Sequence, residues 1–451
     1  MSDPFVIVGG DAAGMSAASK AKREDPDREV IVLERGEWVS YGACGLPYYV
    51  KGEIDDLEDL VAIPAERFRE ERDIDLRTGH EVTAIDPEAR TVTVSPTDGE
   101  PYQESYDDLL IATGARALDP PIEGRDHEGV FSLQTMDAGR EIRAFVESTD
   151  DLDSVAVVGG GYVGIEMAEA FDAHDLDVSL FEMREHVLPP FGPSVGDRVA
   201  AELRDNGVTV HTDTRVERIA GDDRVTGIET EDETHDADAV LLAAGVEPRT
   251  ELASEAGIEI GPTGAIATDA DGHTSHDGIY AAGDCTEATH TVTGDPAHVP
   301  LALTANRAGR AIGSTVGGDP IPVGEIAGTA VLKAFDLAAG RTGVIDEERA
   351  REAGFDPASV TITAPSRAHY YPGGDDIEIT LLGDRESGRV LGASMVGTEG
   401  VAKRLDTVAT ALHEDLTAQE LSYLDLSYAP PFSPTWDPVL TAGKVLASTL
   451  E

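Results

Sequence analysis

The chain carries two cysteines in 451 residues, and one of them, Cys44, stands among small residues in SYGACGLPYY (Ser40–Tyr49). A cysteine can serve as nucleophile or redox group, and only its thiolate is competent for either task. A C-x-x-x-x-C dithiol would need its second cysteine at Tyr49, so no internal disulfide forms at that spacing. One thiol leaves two chemistries: a mixed disulfide with a small thiol, or a cycle through sulfenic acid with peroxide or oxygen. A small packing residue is the plain alternative, and the flanking glycines argue against it. For Cys285, in GDCTEA, the balance reverses and the expected role is structural.

Glycine turns supply phosphate-binding geometry at two places. GGGYVG puts glycines at Gly159, Gly161 and Gly164, the full G-x-G-x-x-G pattern. The first permits a tight turn, the second lets a pyrophosphate approach the backbone, and the third lets helix and strand pack closely. The helix N-terminus then offers free N–H groups to phosphate. Glu182 follows Gly164 by 18 residues. A carboxylate there accepts a ribose 2′-hydroxyl and repels a 2′-phosphate, which favours NADH over NADPH. Arg184, two residues on, keeps NADPH open. The first turn, GGDAAG, has Gly9 and Gly14 but carries Asp11 in the middle position. An acid beside a pyrophosphate is unfavourable unless its side chain points away or caps the helix. Glu34 follows Gly14 by 20 residues, as ribose recognition requires, and AAGD (Ala281–Asp284) ends in an aspartate that can accept hydroxyls from a sugar-alcohol chain such as a flavin's ribityl.

These residues need elements to position them. FVIVGGDAAGMSAASKAKREDPDREVIVLERG and SVAVVGGGYVGIEMAEAFDAHDLDVSLFEMRE form a degenerate repeat, with Gly9 and Gly159 150 residues apart. Each reads as strand, glycine turn, helix and strand ending in Glu. Each is later followed by a strand ending in small residues: LLIATGAR, with Thr113 and Gly114, and VLLAAGVEPR, with Gly245. Strands alternating with helices predict an α/β protein with two parallel-sheet, Rossmann-like dinucleotide-binding units. The expected boundaries are 1–118 and 248–325 for two segments of the first unit and 119–247 for the second. From 326 to 451 the texture changes to an α+β domain. Its expected strands are Ser359–Ala364, Ile377–Leu382 and Val390–Val396, and its expected helices Thr398–His413 and Ala418–Tyr423.

Composition limits the setting. No run of about 18 apolar residues exists to cross a membrane, and the N-terminus does not read as a secretion signal. Two cysteines exclude a disulfide scaffold and fit a reducing cytoplasm. There are 87 acids against 34 bases, a net charge of −53, and only six lysines. Such self-repulsion is relieved at high salt, where the Debye length falls to about 3 Å at 1 M. The expectation is a protein of a salt-accumulating cytosol. With no sizeable basic patch, nucleic-acid binding is disfavoured.

Two Rossmann units, the ATG and AAGD strand ends, and a cysteine about 30 residues after the first glycine turn resemble the FAD-dependent pyridine nucleotide–disulfide oxidoreductases. Within them the chain is most similar to the single-cysteine branch around coenzyme A disulfide reductase, with its NADH oxidase and peroxidase relatives. GGDAAGMSAASKAKR, SYGACGLPYY, HYYPGG and LDLSYAPPFSP carry that likeness. The resemblance implies FAD at Gly9, Gly10, Ala13, Gly14, Glu34, Arg35, Val82, Thr113, Gly114, Gly283, Asp284 and Ala302. It implies NADH or NADPH at Gly159, Gly161, Tyr162, Gly164, Glu166, Glu182 and Gly245. It also implies a homodimer in which Tyr370, Tyr371 and Tyr428 approach the partner's Cys44, where a phenol can protonate a leaving thiolate. Lys20, Lys22, Arg23 and Ser40 would contact coenzyme A; pairing of the lysines with Glu24 or Asp27 is the plain alternative. Ala43 departs from the asparagine often found there in the subgroup, so another low-molecular-weight disulfide is also compatible. The activity implied is electron transfer from NAD(P)H through FAD to Cys44 and on to a small-molecule disulfide. A sulfenic-acid oxidase or peroxidase and a slowly turning flavin redox sensor are the alternatives.

Overall fold

The computed structural model describes residues 4–149 and 151–451. In chain order the first unit contributes β1 (Phe5–Val8), α1 (Ala12–Glu24), β2 (Val30–Glu34), α2 (Leu46–Lys51), β3 (Asp75–Thr78) and β4 (Asp108–Ile111). The second contributes β5 (Val130–Phe131), β6 (Ser154–Val158), α3 (Tyr162–Asp172), β7 (Asp177–Phe181), α4 (Pro193–Asp205), β8 (Thr209–His211) and β9 (Ala239–Leu242). The chain then returns to the first unit through β10 (Ile279–Ala281) and α5 (Ala302–Val316). The C-terminal region adds β11 (Ala330–Ala334), β12 (Leu337–Gly343), β13 (Pro357–Pro365), β14 (Asp376–Asp384), β15 (Val390–Gly397), α6 (Val401–His413) and α7 (Pro438–Leu450).

The sheet orders are β10-β4-β1-β2-β3 and β8-β7-β6-β9-β5. β1 pairs in parallel with both β2 and β4, placing Val6 beside Ile31 and Leu109; β6 does the same with β7 and β9. These strands are short apolar runs buried on both faces, as parallel strands covered by helices must be. In each sheet the strand order reverses beside the glycine-turn strand. The crevice at that switch point is where such sheets take ligands.

Close helix packing brings the second segment of the first unit home. A Cβ on Gly309 would overlap the Ala13 carbonyl oxygen, and one on Gly313 the Ala17 carbonyl oxygen. Glycines at these spacings let the backbones of α5 and α1 touch, which carries β10 to the edge of β4.

The C-terminal sheet is antiparallel, ordered β11-β12-β15-β14-β13. The three expected strands extend by one or two residues at all but one of their ends. β11 and β12 were not expected: AVLKA and LAAGRTG are rich in Ala and Gly, which are depleted in strands. The helix expected from Thr398 starts at Val401, because Gly400 turns left-handed at φ 71°. The one expected to Tyr423 ends at Leu421, behind a capping box of Thr417 and Glu420. α7 went unread despite a legible start, Asp437 capping Val439 N–H ahead of Pro438.

Candidate active site

Cys44 occupies a single 3-10 turn, Ala43–Gly45, that runs straight into α2. Hydrogen bonds lace this turn to its surroundings. Gly42 N donates to Leu60 O at 2.9 Å and Ala62 N to Ser40 O at 2.8 Å. Ser40 sits at φ 51°, uncommon without glycine, and its N–H donates to Gly10 O at 3.0 Å. The cysteine loop is therefore tied to the first glycine turn. Cys44 is exposed, while Leu46, Pro47, Tyr49 and Val50 behind it are buried.

The two glycine turns share one geometry. Gly9 and Gly159 take φ 112° and 115°. A Cβ on Gly14 would overlap Gly9 O, and one on Gly164 would overlap Gly159 O. Glu34 accepts from Gly10 N and Gly36 N, both at 2.7 Å; Glu182 accepts from Gly160 N and Arg184 N, both at 2.8 Å. Each carboxylate is thus fixed over its own turn by two backbone amides, and Arg184 itself is exposed. A Cβ on Gly161 would meet no protein atom within 4 Å, the open approach that a pyrophosphate needs. Tyr162, at the start of α3, packs edge-on to Phe191 with ring centroids 5.3 Å apart.

Asp11 stands at the N-cap of α1 without a side-chain capping bond. Its Oδ1 accepts from Tyr41 N at 3.0 Å, so the acid points toward the cysteine loop. Burial pushes it up to about 6 against that hydrogen bond, with Glu34 and Asp284 adding to the rise. Asp284 follows Gly283 (φ 90°) at the end of β10, and burial raises its carboxyl as well. A Cβ on Gly283 would stand 3.2 Å from Ala13 Cβ. Cys285 is fully buried beneath, its thiol directed to Ala282 O and Ile111 O.

The remaining expected cofactor residues are placed as follows. Thr113 Oγ1 donates to Arg249 O at 2.8 Å, and Arg249 N to Gly114 O at 2.9 Å. Leu118 N donates to Gly245 O, so the ends of the two repeats meet in a short antiparallel pair, Ala115–Ala117 with Val246–Pro248. Ala302 opens α5 and is exposed, as is Arg35. Val82 pairs with Val94 in an antiparallel meander that the sequence reading did not resolve.

Sequence reasoning missed Tyr48. Its Oη donates to Glu166 Oε1 at 3.1 Å, bridging α2 and α3. The available signal was spacing, since Tyr48 lies four residues after Cys44, one helical turn on. Burial pushes Glu166 up to about 7, the Tyr48 bond opposes this, and Glu169 adds to it. Although Cys44 reaches the surface, protein packed around its sulfur strips enough water to push the thiol above its ordinary range, and Glu166, Asp284 and Asp11 add to this. α2 is six residues long, and the chain's own carboxylates work against the thiolate.

The lysines of the basic cluster have partners within the chain. Lys20 pairs with Glu24. Lys22 is tied to Pro26 O, Arg28 O and Asp73, at 2.8, 3.2 and 2.8 Å. Both lysines therefore brace the end of α1, and Arg23 is left exposed. In the C-terminal region Tyr370 and Tyr428 join their hydroxyls at 2.9 Å. That bond pushes the Tyr370 phenol up and holds Tyr428 below its ordinary range. Tyr371 lies beside Arg367. Tyr423, Phe432 and Trp436, in the same region, are exposed as well.

Two dinucleotide-binding units in tandem, with one open thiol laced to the first glycine turn, define a flavin- and pyridine-nucleotide-dependent oxidoreductase. Residues 3–309 match the pyridine nucleotide-disulphide oxidoreductase family and residues 329–438 its dimerisation domain, and the chain belongs to that family. It is 41% identical over 442 residues to a CoA-dependent NAD(P)H sulfur oxidoreductase of Pyrococcus abyssi, covering 98% of this chain and 97% of the relative. It is 30% identical over 434 residues to the coenzyme A disulfide reductase of Staphylococcus haemolyticus, covering 95% and 96%. The solved NAD-dependent persulfide reductase from A. fulgidus superposes with a TM-score of 0.95 at 40% identity, over 99% of this chain and 83% of that one.

Proposed function

We propose that this chain reduces low-molecular-weight disulfides or persulfides, coenzyme A derivatives foremost, at the expense of NAD(P)H. The observation that carries the reading is Cys44: an exposed thiol tied to the first glycine turn and within range of the Glu166 charge on α3, while Cys285 is sealed beneath the strand ends. The cradle fits FAD: Gly9 and Gly14 leave no room for a side chain, Gly283 takes a left-handed φ of 90°, Glu34 is fixed over the first turn, and Asp284 is buried beside them. Bound there, the flavin supplies two-electron transfer between NAD(P)H and the thiol. The names of the relatives support coenzyme A chemistry and extend the substrate class to persulfides.

The protein's own part begins with Cys44. Its thiolate attacks one sulfur of the substrate, a Cys44–substrate disulfide forms, and the other sulfur leaves as a thiolate that takes a proton. A hydride equivalent from NAD(P)H and a proton then release the second thiol, so each disulfide consumes one NAD(P)H. Glu182 favours NADH through the ribose hydroxyl. The dimerisation-domain match and the exposed aromatic residues of the C-terminal region support a homodimer in which Tyr370 or Tyr428 of one protomer serves its partner's Cys44. The setting that fits −53 charges is a salt-rich cytosol.

The test is NADH and NADPH oxidation in multimolar KCl with coenzyme A disulfide, coenzyme A persulfide, other small disulfides, peroxide and oxygen. Cys44→Ser is expected to abolish disulfide turnover while FAD absorbance is retained. Retained turnover in that variant refutes the mechanism. Oxygen or peroxide consumption without disulfide turnover moves Cys44 to the sulfenic-acid cycle.

A further inference from the structure

Six lysines serve the whole chain, and two of them converge on one buried carboxylate. Glu169, on α3, accepts from Lys51 at 2.8 Å and from Lys333 at 3.5 Å, and its other oxygen accepts from Phe335 N at 2.7 Å. It is 7% exposed. Burial alone would raise this carboxyl, but Lys51, the Phe335 amide and Lys333 together hold it below its usual range. Breaking such a buried pair leaves an uncompensated charge, which is strongly unfavourable.

The partners come from three regions. Lys51 ends α2, the helix that begins behind Cys44. Glu169 lies three residues after Glu166 on α3, as Lys51 lies three after Tyr48 on α2. Residues three apart share a helix face, so α2 and α3 meet through two rungs: Tyr48–Glu166 near the thiol and Lys51–Glu169 one turn behind. Phe335 sits at the β11–β12 turn with φ 49°. Its neighbour Asp336 donates its N–H to Glu202 on α4 at 3.3 Å. One apolar cluster runs through Val50, Ile165, Ala168, Leu332 and Leu337 across the same three regions.

We propose that Glu169 is a positioning residue: by gripping Lys51 and the Phe335 amide together, it fixes the Cys44 helix against α3, so that Cys44 and Glu166 keep their mutual placement. This rests on Cys44 being the reacting thiol. A shift of about 1 Å at a reacting group costs on the order of 100-fold in rate, so losing the rear rung is expected to show at the thiol itself. Glu169 touches neither substrate nor thiol; it acts through Lys51 and Tyr48.

The experiment uses the FAD-loaded full chain in multimolar KCl, with iodoacetamide alkylation of Cys44 followed from neutral to alkaline pH. Glu169→Gln and Lys51→Met are expected to change the pH profile of alkylation and to lower kcat about tenfold, while KM for NADH stays within about twofold. Lys51→Arg restores the ion pair and is expected to restore both profile and kcat. Lys51→Met and Lys51→Arg also decide the case should Glu169→Gln fold poorly. Wild-type profiles and kcat in Lys51→Met, or equal losses in Lys51→Met and Lys51→Arg, overturn the proposal. Full turnover in Cys44→Ser instead overturns the reading of the thiol beneath it.

Discussion

Tyr48 Oη donates to Glu166 Oε1 at 3.1 Å, and this bond joins the helix behind Cys44 to the helix that starts at the second glycine turn. Glu166 is thereby held where its charge acts on the thiol, ahead of Asp284 and Asp11. A carboxyl raised from 4.5 to about 7 binds its proton more tightly in the folded chain than in the unfolded one. Its neutral form therefore costs nothing below 4.5. A penalty grows as pH rises from there to about 7 and then stays constant, reaching roughly 3 kcal/mol at about 1.4 kcal/mol per unit. Glu166→Gln carries no such penalty. Guanidinium melts from pH 4.5 to 8 are expected to show the stability difference between variant and wild type opening across that window. Parallel curves would remove the shift. The same variant is expected to bring the alkylation midpoint of Cys44 down, because a nearby like charge no longer opposes the thiolate.

Asp11 gives an expectation about FAD retention. Its carboxyl, raised to about 6, is charged above that pH beside the turn that receives a pyrophosphate. Asp11→Asn keeps an oxygen for Tyr41 N but removes the charge. FAD fluorescence titrations are expected to show tighter binding for the variant at pH 8 and equal binding near pH 5, where both side chains are neutral. Weaker binding at pH 8 would instead make the Tyr41 bond the dominant contribution.

The repeat made both parallel sheets legible, because Gly9, Gly159, Glu34 and Glu182 recur at spacings that only a strand–turn–helix–strand unit satisfies. The cysteine was legible for a similar reason, since Tyr49 stands where a second thiol would be. Contacts between distant segments were not legible. Tyr48 meets Glu166 across 118 positions, and nothing in either local sequence marks the other. The partner of Lys22 was equally hidden: it reaches Asp73, 51 residues away, which no local spacing marks. β11 and β12 escaped because a buried strand facing a helix can be built from Ala and Gly, which carry no strand signature of their own.

Salt should govern stability more than any single contact. The acids run along the whole chain, and the exposed ion pairs, such as Arg67 with Glu71, are solvent-screened and contribute little. Screening at about 3 Å in 1 M salt relieves the repulsion among the unpaired acids. Thermal melts are expected to rise steeply between dilute buffer and multimolar KCl and to rise likewise in NaCl. Equal melting temperatures at both extremes would detach the charge from any halophilic setting.

The end of α1 separates structure from substrate. Lys22 has three partners that hold the turn at Pro26–Arg28 and the loop at Asp73, whereas Arg23 is free. Lys22 lies ten residues into α1, about 15 Å along at 1.5 Å per residue, so only a long substrate anchored at Cys44 reaches this end. Lys22→Met is expected to lower the melting temperature through the loss of those bonds, a cost of about 1–2 kcal/mol, with KM for coenzyme A disulfide little changed. Arg23→Ala is expected to do the reverse: an unchanged melt, and a KM for coenzyme A disulfide raised about tenfold, since one phosphate contact is worth about 1.4 kcal/mol or more. A short disulfide such as cystine never reaches Arg23, so its kinetics should be the same in both forms. If Arg23→Ala leaves coenzyme A disulfide kinetics unaltered, this end of the helix has no part in substrate binding, and the nucleotide of coenzyme A lies elsewhere.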